Sequence, residues 1–453
     1  MPRLRSPDYS HATLTIPSTA WGRNVDSDRF PRSSTVVNGT TSNPNSTCIS
    51  LDVASLRMIE VTLAADDARN FDPRRKELRN SYRKLKAASW IVPPTIALIV
   101  LACLLSASSS FRAKTIPSAA GDLSGFSALA PIDIHAHAFI NDPAVTDLLK
   151  RLNLRILNIC VVVQHGRGYD EAAPLNRTAR QVLHSSGGRA AWCSTFDPQD
   201  FEKPGFADRS NKILNETFAE GAVAVKIWKA IGMDLKKSDG SYLMADDPVF
   251  NSIYADIAAH NRTLVAHLAE PTSCWQPPNP ESPDYGYYNQ HPEWFMFRHP
   301  ERPSKETILA ARDRLLANNP KLRVVGCHLG SMEVDVDEIA RHFDRYPNFA
   351  VDTAARAQYL MMQPPEKVRA FLTKYQDRVI YGTDNGLEPG ADPARTLPQW
   401  NERYLREWRY FSTSEWIEYK GHKYRGLELP QPILRKLYHD NAVNWVPGIL
   451  GNQ

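Results

Sequence analysis

Histidine, aspartate and lysine recur in this chain where short apolar runs end, and these are the side chains that hold metal ions and move protons. The first run closes with Asp133-Ile-His135-Ala-His137. Alternate residues of an extended strand face the same side, so His135 and His137 present two imidazoles together, a natural pair of metal ligands. Further on, His267 closes Leu264-Val-Ala-His267 and His328 closes Val324-Val-Gly-Cys-His328. Asp384 follows Ile380-Tyr-Gly-Thr, and Lys226 lies in Ala224-Val-Lys226. A single His-x-His is explained by rings hydrogen-bonded to loops. Its repetition at the ends of separate runs is not, because core packing supplies no reason for a polar, metal-competent side chain at each of them.

Eight runs read as strands, over 132–135, 156–163, 190–196, 222–227, 263–267, 323–328, 349–352 and 379–383. Helical segments are expected at 145–152, 211–220, 248–260, 305–318, 335–345 and 365–375. Short β-branched runs alternating with longer helical ones are the pattern of parallel βα units, and eight of them predict an α/β (β/α)8 TIM barrel over 130–450. An open doubly wound sheet fits less well, since no glycine-rich phosphate loop follows the first strand. In a barrel the residues above sit where strands meet their C-terminal loops, the face on which barrel enzymes keep their active sites. Two connections are out of scale. The stretch 270–304 is about 35 residues long, against roughly two to six for an ordinary barrel loop. It carries Trp275, Tyr285, Tyr287, Tyr288, Trp294, Phe295 and Phe297, and reads as a lid or specificity wall, or else as an insertion packed over the rim. The second excursion, 385–429, either shields the same mouth or packs on the outer helices.

Taken as a set, Asp-Ile-His-Ala-His, Val-Lys-Ile-Trp, Val-Ala-His-Leu, Gly-Cys-His-Leu-Gly, Tyr-Gly-Thr-Asp and the closing Asn441-Ala442 resemble the amidohydrolase superfamily, in its amidohydrolase-related branch of TIM-barrel metal hydrolases. The resemblance covers about residues 130–448 and leaves the first 120 untouched. It implies a divalent metal, usually zinc, held by His135, His137, His267 and Asp384, with His328 orienting or polarising. One ion is the expectation. In binuclear relatives a carboxylated lysine bridges two metals, and Lys226 occupies that strand; otherwise it is a substrate contact or half of a buried ion pair. A metal with an open position brings the pKa of its water to about 7. Asp384 would take that proton and return it to the leaving group, and His328 would stabilise the oxyanion. Glu270 and Asp133 are read as supports behind the ligands, although Asp133 also admits a plain core hydrogen bond. The implied activity is hydrolysis of an amide, ester or lactone of a small molecule. The alternative is the zinc-dependent, non-oxidative decarboxylation found in the same branch, which an acid-binding arginine at the mouth would favour: Arg167, Arg298 and Arg356 are the candidates. A catalytically dead, membrane-anchored binding barrel would lack one or more ligands, and none is missing.

The rest of the chain sets the context. A net charge of +4 on 453 residues, with the basic excess before residue 87, gives no case for nucleic acid. None of the six cysteines forms a CxxC pair, so buried free thiols are expected. Residues 1–86 read as a disordered, basic N-terminal region, with Met58 an alternative start. Residues 87–110 are uncharged, long enough to cross a hydrocarbon core of ~30 Å, and preceded by Arg74, Arg75, Lys76, Arg79, Arg83, Lys84 and Lys86. That balance places the barrel on the non-cytoplasmic side of a membrane, anchored through a transmembrane helix or released by signal cleavage among Ser106–Ser110. A linker over 111–129 leads into the barrel, and a homo-oligomer is compatible with all of this.

Overall fold

A computed structural model describes residues 123–165 and 168–451. The expected N-terminal region, the apolar segment 87–110 and the linker up to residue 122 lie outside the described residues. So does Arg167. Among the described residues no helix is long and apolar enough to cross a membrane.

Nine parallel strands make an α/β, TIM-barrel-like sheet. They are β1 (Ile132–Ala138), β2 (Arg155–Ile159), β3 (Ala190–Thr195), β4 (Ala222–Ile227), β5 (Thr263–Ala266), β6 (Arg323–Gly326), β7 (Phe349–Asp352), β8 (Val379–Ile380) and β9 (Asn385–Leu387). Their spatial order is β8-β7-β6-β5-β4-β3-β2-β1-β9, which follows the chain until β9. The two ends of that order, β8 and β9, are halves of the single segment 379–387. Ile134 N donates to Tyr381 O (3.0 Å) and Asp384 N to His135 O (2.7 Å), so the break between the halves is itself bonded to β1. These bonds join the first strand of the sheet to the last, as a barrel requires.

The sheet is buried on both faces. Ile132, Ile134, Leu157, Ile159, Cys193, Val265, Val325 and Ile380 pack together on one face and are capped by Ala442, Val446 and Ile449 from the end of the chain. The opposite face packs against the connecting helices, the two-sided burial that parallel strands need. Helix boundaries follow local chemistry. In α1 (Pro143–Arg151), Asp142 accepts from Ala144 N, Pro143 opens the first turn, and Lys150 and Arg151 sit in the last. In α5 (Lys305–Asn318), Ser304 accepts from Thr307 N at the N-terminus. Four cysteines within the described residues, Cys160, Cys193, Cys274 and Cys327, are buried and free.

Elements that the sequence did not announce include α2 (Ala172–Ser185), α8 (Pro393–Ser412) and the antiparallel hairpin of β10 (Trp416–Tyr419) and β11 (His422–Arg425). The last two fall in the excursion 385–429, which is therefore structured rather than a long loop. Strand ends also differ. The sixth run stops at Gly326, and Cys327–Gly330 form a tight turn in which His328 (φ 60°) and Leu329 (φ 59°) are left-handed, followed by Ser331 (φ 58°). The eighth stops at Ile380, and Asp384 is left-handed as well (φ 65°). Both departures occur at residues singled out for chemistry, where backbone strain tends to collect.

Candidate active site

The imidazoles are oriented from behind. His135 Nδ1 lies 2.7 Å from Asp352 Oδ2, His137 Nδ1 2.9 Å from Ile159 O, and His328 Nδ1 2.9 Å from Ala354 O. Carbonyl oxygens only accept, so the neutral rings of His137 and His328 carry their proton on Nδ1, and the carboxylate of Asp352 selects the same tautomer for His135. All three therefore turn an unprotonated Nε2 the other way. His135 Nε2 and His137 Nε2 lie 3.3 and 3.2 Å from one atom, Asp384 Oδ1. The three ligand atoms are within 4.8 Å of one another. Lone pairs gathered at that spacing repel unless a proton or a cation sits among them, so the donor set fits a divalent ion.

His267 and His328 stand next to this group, with ring centroids 4.3 Å apart and His328 4.8 Å from His135. His267 Nε2 is buried without a hydrogen-bond partner, an open valence beside the trio. Of the four ligands implied by the resemblance, three are thus gathered and His267 is a neighbour. Burial drives the His267 ring well below the usual histidine range and holds His328 down to about 3; His135 is lowered too, by burial and then by Lys226. A neutral His328 whose proton is on Nδ1 has none on Nε2 to offer an oxyanion, so its expected donor role requires a proton taken up first. Burial would raise the Asp384 carboxyl, but a proton or cation shared with the histidines around it outweighs burial and holds it well below the carboxylate range.

Two carboxylates stand behind these side chains. Asp133 accepts from Thr383 N, Thr383 Oγ1 (2.6 Å), Tyr404 OH (2.9 Å) and His135 N (3.0 Å), so it ties β1 to the turn before Asp384. Burial still raises it to about 6. Asp352, which the sequence reading passed over, is the carboxylate that touches His135 directly, and its Oδ1 also accepts from His328 N (2.7 Å). Its place at the end of β7 was the available signal. Lys226 Nζ donates to Cys327 Sγ (2.9 Å) and is 3.5 Å from His135 Nε2. Glu270 is paired with Lys229, whose ammonium is surrounded by the rings of Trp228, Tyr287 and Trp294.

The four histidines, Asp384, Lys226, Lys229 and Glu270 line a cavity of about 330 Å³. The stretch 270–304 contributes Asp284 and Tyr287 to its wall. Of its other aromatics, Tyr288 stacks on Phe295 (5.2 Å), Trp294 is buried with Cys274 Sγ donating to its carbonyl, and Phe297 is exposed. The excursion 385–429 contributes Arg403, Arg406, Glu407, Tyr419 and Lys420, so it shields the mouth. Of the candidate acid-binding arginines, Arg356 lines the cavity, and its buried Nε has no partner. Arg298 does not; it lies over the Phe295 ring.

Compared with known proteins, the chain matches the family model described as amidohydrolase over residues 132–447. No curated protein matches it. Similar solved structures include a dihydroorotase from Campylobacter jejuni, at 13% identity over 69% of this chain and 82% of that one (TM-score 0.38). Another is 5-carboxyvanillate decarboxylase from Sphingomonas paucimobilis, at 15% identity over 70% and 99% (TM-score 0.40). A third is 4-oxalomesaconate hydratase from Rhodopseudomonas palustris, at 14% identity over 70% and 95% (TM-score 0.39).

Proposed function

This chain belongs to the amidohydrolase family, a family of metal-dependent enzymes, and from that premise we propose that it hydrolyses an amide, ester or lactone bond of a small molecule, with one zinc ion held by His135, His137 and Asp384. The observation that carries this reading is the meeting of two unprotonated Nε2 atoms and a carboxylate oxygen in one cavity. His267 completes the set through its unpartnered Nε2. When bound, such an ion acidifies water and polarises a carbonyl.

The chain's own residues do the rest. Asp384, ionised across the physiological range, accepts the proton of the attacking water and hands it to the leaving group. His328, neutral and with its proton spent on Ala354 O, has none on Nε2 to donate and so orients what binds beside the ion. Asp352 and Ile159 O keep the two ligand imidazoles in the required tautomer. Lys226, fixed by Cys327, faces the same space as a substrate contact; its carboxylation would turn the site binuclear.

Non-oxidative decarboxylation is the second reading, favoured by one observation: Arg356 lines the cavity with no hydrogen-bond partner on its buried Nε, while its Nη atoms lie 3.8 Å from Glu270 and 3.9 Å from Asp284. Zinc-loaded protein incubated with panels of amides, esters, lactones and aryl carboxylates separates the two. Acid release from the first three supports hydrolysis, and carbon dioxide release from the last supports decarboxylation. The proposal extends to location: the charge balance around residues 87–110 supports an anchored or exported enzyme with its barrel outside the cytoplasm.

A further inference from the structure

The cavity's outer wall comes from α8 and the β10–β11 hairpin, and none of the chemistry above uses it. Arg403 and Arg406 are three residues apart on α8 and so share one helix face, while Tyr419 and Lys420 sit at the hairpin tip. Among the described residues none of these three cations is in an ion pair. Arg403 spends one Nη1 hydrogen on Thr383 O, the carbonyl just before Asp384. Arg406 lies over the Tyr419 ring at 4.1 Å. Lys420 Nζ donates to Pro283 O (3.3 Å) on the 270–304 stretch, across the mouth, and lies 5.5 Å from the Tyr419 ring centroid.

The acids of the cavity compensate these cations only in part. Glu270 is paired with Lys229, Asp284 accepts from Tyr359 OH and from Ser273 Oγ (3.0 Å), and Asp384 faces the imidazoles. Glu407 is the nearest candidate, but Oε2 takes the Tyr381 hydroxyl hydrogen (2.9 Å). Burial pushes its carboxyl up to about 7, so near neutrality it offsets the arginines only in part.

We infer that Arg403, Arg406 and Lys420 form a subsite for an anionic group, carboxylate or phosphate, carried by the substrate away from its reacting bond. Two guanidiniums held by a backbone carbonyl and by an aromatic face present fixed forks of donors, the geometry suited to a planar or tetrahedral oxyanion. Thr383 O anchors Arg403 next to the residue before Asp384, so the anion lies beside the reacting centre and orients the scissile bond toward it. The inference rests on the metal reading above, because the reacting end is defined by the ion.

A metal-chelating probe tests it on the full-length, zinc-loaded protein. Benzohydroxamate reports binding at the metal; its 3-carboxy, 4-carboxy and 4-phosphono derivatives add the second anion. Titration calorimetry should give at least one derivative about tenfold tighter than the parent, with the gain shrinking as salt rises. Whether carboxylate or phosphonate gains more identifies the class of anion. The gain should vanish in Arg406→Gln and shrink in Lys420→Gln, with parent binding and melting temperature unchanged. Equal affinity of parent and derivatives in protein that contains zinc overturns the subsite and leaves the metal reading standing, as does a gain that survives both substitutions. Protein that takes up no zinc overturns both.

Discussion

Proton positions on the imidazoles decide what the cavity can bind, and they are set by residues that do not face it. Asp352 fixes the His135 tautomer and also accepts from the backbone of His328, so one carboxylate organises two of the histidines. Asp352→Asn keeps the shape but can present an amide donor to Nδ1, which would free the wrong nitrogen. Metal affinity should fall by about 10- to 100-fold, read by competition against a chelating dye. Glu407 sets a different dependence. Its folded pKa of about 7 lies above the ordinary value of 4.5, so the folded state holds the proton more tightly than the unfolded chain. The associated stability is fully present below about 4.5 and is lost as pH rises through about 7. Glu407→Gln, which still accepts from Tyr381 OH, should therefore raise the melting temperature at pH 8 and change it little at pH 5. A uniform shift at both pH values would contradict this.

Elements place these residues by breaking regularity at the right points. The left-handed turn after β6 swings His328 inward, and the interruption between β8 and β9 does the same for Asp384. Strand runs with strong β-branched composition were legible in the sequence: β4 and β7 begin and end where expected, and α5 matches its predicted span. The two breaks were not legible, because Gly-Cys-His and Gly-Thr-Asp continue the apolar run while the backbone has already turned. Nor was the outer wall. Helix α8 and the β10–β11 hairpin sit in a stretch rich in charged and aromatic residues whose burial depends on tertiary packing. Gly426 marks how closely that hairpin docks, since an added Cβ would come within 2.1 Å of Thr413 O. Gly426→Ala should cost about 1–3 kcal/mol, measured by denaturant unfolding, and should displace Tyr419 and Lys420 from the mouth.

At the scale of the whole molecule, the proposed ligands on β1, at the end of β5 and in the β8–β9 break converge with His328 only because the sheet curls round and rejoins β1. The proposed ligand residues stood out before the fold because each ends or follows a strand run. Asp352 was missed because its role depends on a contact 217 positions away along the chain. Residues 87–110 carry the remaining proposal for the whole chain. The full-length protein should stay with membranes after alkaline washing if the segment is an anchor, and should appear in the exported soluble fraction if it is cleaved. Recovery in the cytosol would contradict both. The central claim, that His135, His137 and Asp384 hold one catalytic ion, is tested most directly by elemental analysis of the purified full-length protein beside its His135→Ala and Lys226→Ala variants. The account predicts about one zinc per chain, lost with His135 and kept without Lys226. A folded wild-type protein that binds no metal, even after zinc or manganese is added back, would contradict it.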